Sequence, residues 1–60
     1  MNLTDAKQIT GFHIEHVPEE AHHLGHFIVV DREGLQAYPK PGQAQTLGAC
    51  QRFILWHAEG

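Results

Sequence analysis

Cys50 has no second cysteine to pair with, and in a chain of 60 residues that constrains the fold more than any motif does. Domains of this size sit close to thermodynamic balance. Area scaling leaves about 5,800 Å² buried on folding. Taking about 60% of that as apolar at ~25 cal/mol per Å² gives about 87 kcal/mol. Ordering the chain costs about 90 kcal/mol, at ~1.5 kcal/mol per residue. The two cancel, and small domains then lean on a disulfide, a structural metal or a second subunit. With one cysteine the disulfide drops out, so metal or self-association remains. A single domain over 1–60 is expected, with residues 1–8 at most a frayed turn for which Thr4 or Asp5 is the available cap.

A lone cysteine behind a polar start, MNLTDAKQ, makes the cytoplasm the expected compartment. The longest apolar runs, FIVV (27–30) and FILW (53–56), are far too short to cross a bilayer, so no membrane role is expected. Four basic and seven acidic side chains leave a net charge of −3. Lys7, Arg32, Lys40 and Arg52 are scattered and form no stripe that could follow phosphates. Direct nucleic-acid binding is therefore not expected.

Alternation over Ile9–Val17 predicts a strand with Phe12, Ile14 and His16 on one face and a bulge at Gly11. PEEAHHLG (18–25) carries the punctuation of one or two helical turns. Pro18 suits the first helical position, Glu19 and Glu20 suit the positive dipole end, and Gly25 suits a left-handed C′. His26–Arg32 is the clearest strand, and FIVV, apolar on both faces, suggests cover from both sides. Asp31-Arg32-Glu33-Gly34 predicts a turn. Leu35–Tyr38 then returns as a short strand, stopped by Pro39 and Pro41.

At helical spacing Leu47, Cys50, Ile54 and Ala58 form a stripe widened by Ala44 and Leu55. This predicts a helix over 43–57, with Gly48 costing about 1 kcal/mol. RFILWH (52–57) taken alone would also suit a strand. The expected architecture is α+β: a three-stranded antiparallel sheet with a C-terminal helix packed on one face, in the order β–short α–β–β–α.

Such a fold leaves apolar surface over. Phe53 and Trp56 lie away from the Leu47/Ile54 stripe, and with Tyr38 they mark a partner-binding patch. The competing reading has the N-terminal segment or a final strand cover them.

Five of the six histidines fall within HIEHVPEEAHHLGH (13–26). A transition-metal site, zinc or nickel, would draw on His16, His22, His23 and His26. Everything there turns on register. If facing residue numbers across the hairpin sum to 42, His16 sits opposite His26; if they sum to 43, it faces Phe27 and the pair is lost.

Catalytic constellations are weaker. Cys50 and His57 are about 10.5 Å apart along a helix axis, too far for a dyad. Glu19 and Glu20 are neighbours and diverge. The expected function is a non-enzymatic interaction module of adaptor, inhibitor or subunit type, binding a protein partner, a second copy of itself, or both. A histidine-rich metal-binding module is the alternative, and a pH-responsive binder the second alternative.

Overall fold

Asn2 and Gly11 bracket the first element. The Asn2 side chain accepts the Asp5 N–H at 2.8 Å, and Gly11, at φ +75°, donates its N–H to the Lys7 carbonyl. Between them Leu3–Thr10 is a helix, α1, in a computed structural model that describes residues 1–17 and 24–60. This corrects the frayed turn expected over 1–8. The cap is Asn2 rather than Thr4 or Asp5, Gly11 ends a helix rather than bulging a strand, and Ile9 is helical. Eight residues are too few for a helix to stand alone in water. Packing supplies the difference: Ala6 is fully buried and Leu3 lies against the core.

Three short strands follow: β1 (His13–His16), β2 (Phe27–Val30) and β3 (Gln36–Tyr38). They form an antiparallel sheet in the order β1-β2-β3. The β1–β2 register runs from His13↔Val30 to His16↔Phe27. The predicted turn after β2 is present. Asp31 Oδ1 accepts the N–H groups of Glu33 and Leu35, and Gly34, at φ +84°, donates its N–H to the Asp31 carbonyl. Between Val29↔Tyr38 and Val30↔Gln36 the β2–β3 register shifts, and the Tyr38–Pro39 peptide is cis.

The helical turns expected over 18–24 fall almost wholly on residues 18–23, outside the described part. Gly25 is described, and it is not left-handed. It is glycine for another reason: a Cβ there would lie 2.4 Å from the Gln45 carbonyl group. The chain ahead of the last helix crosses at this point, with Phe27 and Gln45 exchanging two backbone hydrogen bonds.

That pairing holds residue 45 extended, so the last helix, α2, starts later than predicted and spans Leu47–Glu59. Thr46 caps it by accepting the Ala49 N–H. Gly48 is exposed in the first turn, with open space around it.

The core joins Ala6 of α1, Val29 of β2, and Cys50 and Ile54 of α2, all with no exposed surface. Both helices gather on the Val29 face of the sheet. The molecule is accordingly thin, measuring 33 × 22 × 16 Å. Of the predicted stripe, Cys50 and Ile54 are buried and Ala58 and Leu55 pack on the core, whereas Leu47 stays 42% exposed at the helix start. Ala44 is also buried, but from the loop.

By alternation along β1 and β2, His13, Glu15, Ile28 and Val30 project from the opposite face, and Gln36 joins them through its pairing with Val30 across the register shift. Val30 is nevertheless buried. Beside it, the Gln36 amide lies within hydrogen-bond distance of the carbonyls of Pro39, Lys40 and Gln43, which ties that loop to the sheet. No helix of the described residues is long and apolar enough to cross a membrane.

Candidate functional site

Tyr38 and Phe53 stack face to face, ring centroids 4.6 Å apart and 16° from parallel. They come from distant parts of the chain. Tyr38 is the last residue of β3 and pairs with Val29, so its ring falls on the helix face of the sheet. Phe53 lies one turn after Ala49 on α2. A helix turns by about 100° per residue, so Trp56 sits about 160° around from the buried Ile54. Trp56 is 74% exposed.

These side chains, with Ala49 and Arg52, line an open concavity of about 220 Å³. Phe12 and His57 buttress Phe53 from behind, with centroids 5.6 and 4.2 Å from its ring. The His57 ring, in turn, hydrogen-bonds the Phe53 carbonyl through Nδ1.

The three residues expected to bind a partner therefore lie around one groove, but in unequal roles. Phe53 is half-buried and packs on the core, which corrects its placement away from the buried stripe; the stripe is wide enough to include it. Tyr38 is half-buried on top of it. Trp56 alone is largely exposed. Arg52 and Ala49 were not singled out from sequence, although Ala49, Arg52, Phe53 and Trp56 recur at i, i+3, i+4, i+7. That spacing is a second helical stripe beside the buried one. Tyr38 belongs to it only through the fold.

The histidines adopt the register that sums to 43. His16 faces Phe27, ring centroids 5.4 Å apart at 76°. His16 and His26 are not strand partners, yet their rings remain 6.1 Å apart. Among the described residues no group of three or more histidine, cysteine, aspartate or glutamate side chains comes together as a metal site. His22 and His23 lie outside the described residues. On the far face the His13 ring is hydrogen-bonded through Nε2 to the Glu15 carboxylate in the same strand.

Cys50 is a free thiol with no exposed surface, and burial pushes its pKa up. A neutral, enclosed thiol is a core group rather than a nucleophile. No protein-family model, curated protein or solved structure matches the chain.

Proposed function

We propose that this chain is a non-enzymatic protein-interaction module whose binding face is the groove around Tyr38, Phe53 and Trp56. The observation that carries this reading is an indole 74% exposed beside a stacked, buttressed pair of rings. Tryptophan, tyrosine and arginine dominate the energetics of protein interfaces, and Arg52 lines the same groove. The Tyr38–Phe53 stack is already ordered by the core, so docking against it costs little side-chain entropy. Trp56 closes over the partner, and the module works by occupying a partner's surface.

Photo-crosslinking from position 49 tests this. A discrete protein adduct is expected, and Trp56→Ala should abolish it while leaving the circular dichroism spectrum unchanged. Equal crosslinking by the Trp56→Ala chain overturns the reading. A Trp56 fluorescence already blue-shifted and shielded from acrylamide in the free monomer would do the same.

The His16–His26 ring pair favours a second reading, a zinc or nickel module completed by His22 or His23. Native mass spectrometry before and after EDTA separates the two. A stoichiometric metal whose removal unfolds the chain puts the metal reading first.

A further inference from the structure

The two edges of the sheet are built differently. At one edge β3 is three residues long, follows a register shift and runs into Pro39, Lys40 and Pro41. Proline, positive charge and irregularity are the usual means by which an edge strand is kept from pairing with another chain. At the other edge β1 is regular through its four residues, and the first proline after it, Pro18, stands two positions beyond its end.

Its outward hydrogen-bonding groups can be assigned. The Val17 N–H donates to the His26 carbonyl, so 17↔26 is a hydrogen-bonded pair, as are 15↔28 and 13↔30 by alternation. Ile14 and His16 therefore direct their N–H and C=O groups away from β2. Among the described residues neither meets a further strand.

We infer that β1 is a self-pairing edge, where a second copy of this chain adds antiparallel about a two-fold axis at Ile14 to build a six-stranded sheet. The pairing of imidazole with carboxylate selects both the occupant and the register. With Ile14 opposite the second copy's Ile14, His13 stands directly across from the second copy's Glu15, and Glu15 from its His13. Two imidazole–carboxylate cross-strand pairs form on one face. On the other face the half-buried Ile14 side chains meet and extend the apolar layer under the helices.

Sliding one copy by two residues, so that Ile14 faces His16, sets Glu15 against Glu15, a like-charge opposition. Of these two registers, only the first sets each Glu15 carboxylate against an imidazole instead of a second carboxylate. Phe12 keeps its N–H on Thr10 Oγ1, so the ladder comprises the two reciprocal Ile14 bonds and one bond from each His16 N–H to a Phe12 carbonyl.

The interface is separate from the Tyr38 groove and does not rest on the reading proposed for it. In the dimer the two β3 strands are outermost, five strand spacings or about 24 Å apart, and both grooves stay open.

The test is sedimentation equilibrium of the full chain from about 10 µM to about 1 mM, since a self-pairing edge shows as a concentration-dependent dimer. His16→Pro removes an outward N–H from an exposed residue and leaves the β1–β2 ladder intact. It should weaken the dimer at least about tenfold. Glu15→His removes both imidazole–carboxylate pairs and should weaken it about threefold to tenfold. The double variant His13→Glu/Glu15→His should restore the parent affinity, because the two positions face each other in either order.

Were His16→Pro to unfold the monomer, the Glu15→His variant and its rescue still decide the matter. A chain that stays monomeric throughout overturns the inference. So does a dimer indifferent to both single variants, or one lost on Trp56→Ala instead, which would place self-association at the groove.

Discussion

β1 and β2 are adjacent strands of four residues each, hydrogen-bonded to one another, and they differ in almost everything else. FIVV is flanked on both sides, by β1 and by β3 with Gln45, and it holds two of the most buried of the described residues. HIEH is flanked on one side, and three of its four residues are exposed. Sequence and position agree in each case. A strand paired along both edges and packed under the helices favours apolar groups, whereas an edge tolerates imidazole and carboxylate because water can meet them. The central strand pays for the fold; the edge strand contributes little burial and stays largely exposed.

The sharpest way to break the comparison is Val29→Asp. Val29 has no exposed surface and sits among Ala6, Cys50 and Ile54. An unpartnered buried carboxylate there should cost about 4 kcal/mol or more. For a domain of this size that abolishes the cooperative urea transition.

A milder probe is alkaline titration of Cys50, which lies in the same core. Burial raises its pKa above the ordinary 9.0, so the folded chain holds the thiol proton more tightly than the unfolded chain does. The contribution is fully present below pH 9, and it is lost as the pH rises through the folded pKa. Stability should therefore fall above pH 9, and Cys50→Ala should flatten that part of the profile. A Cys50 that reacts with a thiol reagent as fast as free cysteine under native conditions would contradict the enclosed placement.

The smallest effect belongs to β1. Replacing Glu15 by Ala in dilute, monomeric protein should change the unfolding free energy by less than about 0.5 kcal/mol, since its His13 partner is equally exposed. A loss of about 2 kcal/mol would show that the edge carries part of the core's work.

What could be read in advance followed local chemistry. FIVV between Gly25 and the Asp31–Gly34 turn is legible as a central strand because apolar run, β-branching and turn residues coincide. The Cys50/Ile54 stripe is legible because helical period repeats through it. The first helix was harder to see. Its one fully buried residue is an alanine, and Asn2 and Gly11 read as caps only once Ala6 is known to be buried. The groove was half legible: Phe53 and Trp56 stand out as aromatics on a helix, but Tyr38 joins them through a β2–β3 register that shifts by one residue. The histidine cluster was the least informative stretch, since its meaning depends on pairing and a slip of one residue reverses it.

The amino-acid sequence by itself determined the class of the fold, the central strand, the buried stripe of the last helix and the exclusion of an internal disulfide. Each of these follows from periodicity, turn chemistry or a simple count. Tertiary structure alone decided that His16 faces Phe27, that Tyr38 stacks on Phe53, and that Gly25 makes room for the backbone at Gln45. Those are relations between residues far apart in the chain, and they are set by which packing buries the most apolar surface while leaving the fewest backbone groups unpaired.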